Sequence, residues 1–210
     1  MNASLNPARE RLLLLAIDIG ERIFLLILFA SFVVQLFHTI GVRPYNILAL
    51  ISEGLVALLV IVRRPAHKLS LNPLDWIVAL AGTALPMLAR AGGTALLPQS
   101  IGAAMMFAGL LAAIWAKLTL RRSFGLAAAN RGAVAAGPYR LVRHPMYAGY
   151  FIVYIGFSLN NPLLWNFCIY TLTLVLLTIR IAAEEAILSS DPAYASYCRR
   201  VRYRLIPLLL

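Results

Sequence analysis

The chain has 210 residues, of which 61% are apolar and only 13% charged, where an ordinary soluble domain carries about 25% charged residues; the mean hydropathy is +0.82. Nineteen basic residues against eight acidic ones give a formal net charge of +11. This balance excludes a soluble globular domain, a disordered chain and a collagen-like fibre, and two cysteines (Cys168 and Cys198) are too few for a disulfide framework, which leaves an integral membrane protein.

Six apolar runs follow one another, at residues 23–40, 45–62, 74–88, 96–120, 146–159 and 163–179. A spanning helix needs about 20 residues. The third and fifth runs are short, and Pro86 interrupts the third, so they read as tilted, partial or re-entrant. The expected fold class is an all-α integral membrane bundle of six helices, with five as the alternative. The first long run has no small-residue cleavage site and five more follow it, so it does not read as a secretory signal.

The basic residues support this count. With the N-terminus in the cytoplasm, seventeen of the nineteen fall on the inner side and only Arg43 and Arg90 on the outer side, as the positive-inside rule requires. Both termini are then cytoplasmic, in the inner or plasma membrane if the source is bacterial. The +11 charge reflects membrane topology and lipid phosphates rather than nucleic acid. Glu53 in the second run is costly in a bilayer and is a functional candidate for that reason. His38 is either its partner or an interfacial residue, and His67 in a basic connection reads as solvated. No Cys/His set has metal-ligand spacing, so no metal is expected.

The chain changes character after residue 120. Residues 1–120 are mostly apolar helices. Residues 121–210 are rich in Arg, Tyr, Gly and Pro. The connection 121–145 holds five arginines and no acid. Connections beyond about 12–15 residues are usually functional or disordered, so it reads either as a solvated loop or as a face for anionic groups. Within it, Pro145 suits the first turn of a helix, and a residue before proline is pushed out of the α region. That places His144 just ahead of the helix, beside Arg143. The helix start would offer unpaired N–H groups to a carboxylate or phosphate, or would simply be an entry with a snorkelling arginine.

Further on, Arg180 and Glu184 are i and i+4 and share a helix face, with Glu185 turned about 100° away. Asp191-Pro192 then reads as a cap and first-turn proline, followed by Tyr194, Tyr197 and Val201 on one stripe among four arginines. This helix would lie along the membrane surface or pack over a site as a lid, and Leu205-Ile-Pro207 ends it.

The order Arg122-Ser-Phe, Asn130-Arg-Gly-Ala-Val134, Gly137-Pro-Tyr-Arg-Leu-Val-Arg-His-Pro-Met-Tyr-Ala-Gly149, Arg180…Glu184-Glu185, Tyr194-Ala-Ser-Tyr-Cys-Arg-Arg-Val201 and Leu205-Ile-Pro207 resembles the isoprenylcysteine carboxyl methyltransferase family, and more loosely the phospholipid methyltransferases. The likeness covers about residues 120–207. It implies an S-adenosylmethionine-dependent methyltransferase with a lipophilic acceptor. By the same resemblance the cofactor is held by Arg131, Gly132, Ala133, Val134, Tyr139, His144, Pro145, Met146, Tyr147 and Glu184, with Arg143, Glu185 and Tyr197 as additional candidates. Arg180 takes the place of an arginine facing the substrate carboxylate. Arg131 departs from the eukaryotic pattern. Carboxyl methylation needs no general base, so the expected work of the protein is alignment and exclusion of water. The alternatives are phospholipid N-methylation, an NADPH-dependent reductase of the sterol-reductase type, and a non-enzymatic membrane protein.

Overall fold

The computed structural model describes residues 7–37, 46–64, 66, 68–125 and 128–207. His38, Arg43, His67 and the side chain of Glu53 lie outside the described residues. The described chain is mostly helical: α1 (Pro7–Phe37), α2 (Asn46–Val62), α3 (Pro73–Ala84), α4 (Gln99–Leu120), α5 (Pro145–Asn160), α6 (Leu164–Leu188) and α7 (Pro192–Arg200). Each apolar run of the sequence overlaps one of α1 to α6, with α1 starting 16 residues before its run. Two short strands, β1 (Lys68–Leu69) and β2 (Ala129–Asn130), pair antiparallel and tie the connection after α2 to the connection after α4.

Two described helical stretches, Gln99–Ser123 and Leu164–Leu188, are long and apolar enough to cross a membrane. Their outward faces stay apolar. Phe107, Leu111, Trp115 and Leu118 form an exposed stripe on α4, and Leu172, Val175 and Ile179 do so on α6. A water-soluble protein buries most side chains of this kind when they lie in contiguous patches; a bilayer makes such burial unnecessary.

The third run does break as Pro86 suggests. α3 has 12 residues, begins with an Asn72 cap that accepts the Leu74 N–H, and passes into a 3-10 turn over Leu85–Leu88. Twelve α-helical residues rise only about 18 Å, well short of the hydrocarbon thickness. α3 packs on α6, where Gly82 faces Leu176.

α4 and α5 form the tightest helix pair, and glycine explains it. A Cβ added at Gly109 would lie 2.6 Å from the Gly149 carbonyl oxygen, and one at Gly149 would lie 2.6 Å from that of Gly109. Gly102 and Gly156 repeat the relation at 2.7 and 2.6 Å. The partner spacing is seven residues on both helices, running in opposite directions. The two backbones therefore touch along an antiparallel seam that any side chain would force apart, as small residues permit in membrane helix pairs. At the far end of this pair Asn166, wholly buried, staples the turn before α4 to the turn before α6. It accepts the Arg90 N–H at 2.9 Å and donates to the carbonyls of Arg90 and Asn161, each at 2.8 Å. At the other end α4 stops at Arg121, whose φ of 48° is a costly conformation for a residue with a Cβ. The chain turns sharply there into the site.

Candidate functional site

The start of α5 is built as its sequence suggests. Pro145 occupies the first turn, and His144 precedes it with φ −127° and ψ 60°, outside the α region. The His144 ring does not cap the helix. The first N–H groups of a helix have no partner within it, so Met146 and Tyr147 present theirs at this end. The C-terminal tail straps the same point, because the Arg143 and His144 N–H groups donate to the carbonyls of Tyr203 (2.9 Å) and Arg204 (2.8 Å).

The two adjacent acids of α6 take largely different partners by helix geometry and share His144, whose Nδ1 lies 3.8 Å from Glu184. Glu184 turns to Tyr147, whose hydroxyl donates to it at 2.6 Å, and to Arg180, whose Nε donates to the same oxygen at 3.1 Å. Arg180 also lies over the Tyr147 ring at 5.3 Å and donates to the Gly125 carbonyl at 3.4 Å. Glu185 turns to the other side and collects three basic groups: Arg143 at 2.8 Å, His144 Nε2 at 3.2 Å and Arg204 at 2.7 Å. Its carboxylate holds the Arg204 guanidinium above its usual pKa. Arg143 and His144, the residues expected to face an anion, thus pair with Glu185 while also lining the cavity that these segments enclose. Adjacent acids on one helix could not be assigned to separate partners before the fold was known.

α7 closes the site from one side. Asp191 caps it, accepting the Ala193 N–H at 2.9 Å, and also accepts from Asn130 Nδ2 at 3.2 Å. Tyr194, Tyr197 and Val201 are buried, so the stripe packs inward, and the Tyr197 hydroxyl donates to the Tyr139 carbonyl at 2.7 Å. Of the two readings for this helix, packing over the site fits these contacts, while Arg199 and Arg200 stay exposed. Burial pushes the phenols of Tyr139, Tyr194 and Tyr197 above their usual pKa, so all three remain neutral rings.

These segments enclose a cavity with about 780 Å³ of empty space, its mouth included. Its wall takes in Arg131, Gly132, Ala133 and Val134 from the long connection, then Tyr139, Arg143 and His144, then Met146 and Tyr147 from α5, Glu184 from α6, and Tyr194 and Tyr197 from α7. Nine of the ten cofactor candidates therefore meet in one place. The tenth, Pro145, is buried in the helix start without reaching the wall, and Arg180 and Glu185 stand behind it. Gly132 has φ +99° and open space where a Cβ would point, so the wall there is bare backbone. Glu184 is the one carboxylate among the described lining residues.

Sequence reading missed what lies behind Arg131. This residue is 3% exposed, and its guanidinium lies 3.5 Å from Asp18 and 3.6 Å from Glu21 of α1. Arg63 bridges the same two acids at 2.7 and 2.8 Å, and Arg22 pairs with Asp18 at 2.8 Å. Burial pushes the Arg131 guanidinium below its usual pKa, and the carboxylate of Glu21 opposes that shift. A sequence signal existed, since Asp18, Glu21 and Arg22 interrupt the apolar side chains in the middle of α1. Lys117, counted among the inner-side basic residues, is fully buried in the last turn of α4, 5.5 Å from the Tyr150 ring centre.

A second, apolar groove lies between α5 and α6, lined by Phe151, Tyr154, Ile155, Leu159, Phe167, Tyr170 and Leu174 among others. A series of rings joins it to the first cavity. His144 stacks near Tyr147 (5.8 Å), followed by Tyr147 to Tyr150 (6.4 Å), Tyr150 to Tyr154 (6.5 Å) and Tyr154 to Tyr170 (4.6 Å).

Residues 97–191 match the model of the phospholipid methyltransferase family, a stretch that opens just before α4 and closes at the α7 cap. Among solved structures the chain is similar to that of the eukaryotic intramembrane Ras methyltransferase, isoprenylcysteine carboxyl methyltransferase, without a monobody. The identity is 20% over 97% of this chain and 87% of that one, with a TM-score of 0.48. The sequence matches no curated protein at a significant level.

Proposed function

From the match of residues 97–191 to the phospholipid methyltransferase model, we propose that the chain is an S-adenosylmethionine-dependent membrane methyltransferase acting on a lipid-linked or membrane-embedded acceptor, with carboxyl O-methylation as the reaction. The observation that carries this reading is the single cavity gathering Arg131–Val134, Tyr139, His144, Met146, Tyr147 and Glu184 from separate segments.

The residues present fit this cofactor. The bare backbone at Gly132 and the N–H groups at the start of α5 suit its polar end. Glu184 suits its ammonium group or ribose hydroxyls. The neutral rings of Tyr139, Tyr194 and Tyr197 suit the adenine and the sulfonium, since a cation gains from an aromatic face. When bound, S-adenosylmethionine supplies a methyl group already activated by positive sulfur.

The remaining work belongs to the protein. Arg180 is buried, aligned by Glu184 and the Tyr147 ring, and retains donors beyond the two it uses here. A guanidinium in that position holds an acceptor carboxylate in a fixed orientation. The acceptor's apolar portion follows the tyrosine series into the groove between α5 and α6, which begins near Tyr154, about 10 Å along the helix from Tyr147. The buried walls exclude water from the reacting groups.

A second reading, phospholipid N-methylation, is favoured by the description of the matching family. An amine acceptor must lose a proton before attack, and Glu184 is the carboxylate placed to receive it. Calorimetry with S-adenosylhomocysteine and with NADPH on the full chain in detergent tests the class: the first is expected to bind and the second not. Binding of NADPH alone would replace the methyltransferase by a reductase. Transfer of labelled methyl to a lipidated carboxylate, rather than to an aminophospholipid, is the outcome that selects O-methylation.

A further inference from the structure

The buried charge cluster behind Arg131 joins the first helix to the cavity wall. Three guanidinium groups, from Arg22, Arg63 and Arg131, meet two carboxylates, Asp18 and Glu21. All but Arg22 are nearly inaccessible. Burying ion pairs is a poor way to gain stability, because desolvation offsets most of the attraction. A cluster that gives little net stability still fixes geometry. Two of its members are tied to neighbouring backbone: Arg63 donates to the Asp18 carbonyl at 3.0 Å, and Arg22 donates to the carbonyls of Ile61 and Arg63 at 2.8 and 3.3 Å. The acids are therefore held, and Arg131 is the member that reaches from them to the cavity.

Arg131 also meets the reactive side of the site. A Cβ at Gly125 would overlap the Arg131 guanidinium, and the Gly125 carbonyl accepts from Arg180. The route from Asp18 and Glu21 through Arg131 and Gly125 to Arg180 is one of direct contact. The Arg131 carbonyl accepts from Ser123, and the Gly132 N–H donates to the Asn130 side chain at 2.9 Å, so the segment carrying Arg131, just after β2, cannot shift without moving the bare wall at Gly132.

We propose that Asp18 and Glu21 of α1 are positioning residues for the cofactor-facing wall and act through Arg131. This rests on the methyltransferase reading above. It gives the N-terminal helix, which lies outside the family-matched stretch, a direct part in the site.

A double-mutant cycle tests it, with Asp18→Asn, Arg131→Gln and the combination, each as the full chain in detergent and monodisperse by gel filtration. The readout is the Kd for S-adenosylhomocysteine by calorimetry. Asp18→Asn is expected to raise the Kd about twofold to thirtyfold, while adding it to Arg131→Gln changes little further. Removing a general structural support would lower affinity by the same factor in both backgrounds, and that additive result overturns the proposal while leaving the methyltransferase reading intact. Failure of the wild-type chain to bind S-adenosylhomocysteine overturns both. If Asp18→Asn does not fold, Glu21→Asp, which keeps the charge and withdraws the carboxylate, enters the same cycle and is judged by the same two outcomes.

Discussion

Two neighbouring carboxylates carry different loads. Glu184 faces the cavity and pairs with Tyr147 and Arg180, whereas Glu185 is spent on Arg143, His144 and Arg204. Glu184→Ala removes the lining carboxylate and is expected to weaken S-adenosylhomocysteine binding by roughly 1.5–3 kcal/mol, about tenfold to over a hundredfold, as for one hydrogen bond to a charged group. His144→Ala, which removes both a lining ring and a partner of Glu185, is expected to weaken it similarly. Calorimetry checks both, and unchanged affinity in folded protein would remove these residues from the site. Arg180 makes a separable prediction. Lysine keeps the charge and loses the planar fork, so Arg180→Lys should bind cofactor normally and lose most methyl transfer at saturating cofactor. Near-normal turnover in that variant would leave Arg180 as a partner of Glu184 only.

At the level of elements, the α4–α5 seam decides whether the site forms, because α5 brings His144, Met146 and Tyr147 to the cavity. Gly109→Ala places a methyl against the Gly149 carbonyl, and overpacking of this kind costs about 1–3 kcal/mol. Gly20→Ala is the control. Nothing lies within 4 Å of a Cβ there, and an exposed helical glycine replaced by alanine gains about 0.5–1 kcal/mol. Thermal unfolding in detergent should therefore move in opposite directions for the two variants; a fall in both would mean the seam is not the cause. α7 belongs to the same scale. Its Tyr197 hydroxyl bonds to the Tyr139 carbonyl in a buried position, and Arg143 donates to Cys198, so the helix is held over the cavity by packing and by directed contacts.

For the whole molecule, the distribution of charge makes a prediction about orientation in the bilayer. Seventeen of nineteen basic residues lie on the side that carries the cavity if all six long segments span. Reporter fusions after Asn161 and at Leu210 should then report opposite compartments. The same compartment for both would reduce the number of spanning segments, with α3, only 12 residues long, the first to be reconsidered.

Legible in the sequence alone were the class of protein, the approximate places of the apolar helices after the first, the break at Pro86, the helix starts at Pro145 and Pro192, and the pairing of Arg180 with Glu184. Each of these depends on composition, local backbone chemistry or a spacing of a few residues. The candidate cofactor residues were legible for a different reason, their fixed order along residues 120–207. The fold alone reveals that Glu185 meets Arg143 and His144, that Lys117 is buried, that glycines seven residues apart join α4 to α5, and that Asp18 and Glu21 stand behind Arg131. Those contacts link residues far apart in the chain: 113 positions separate Asp18 from Arg131, and no periodicity within one helix reveals which distant charge will be buried against it.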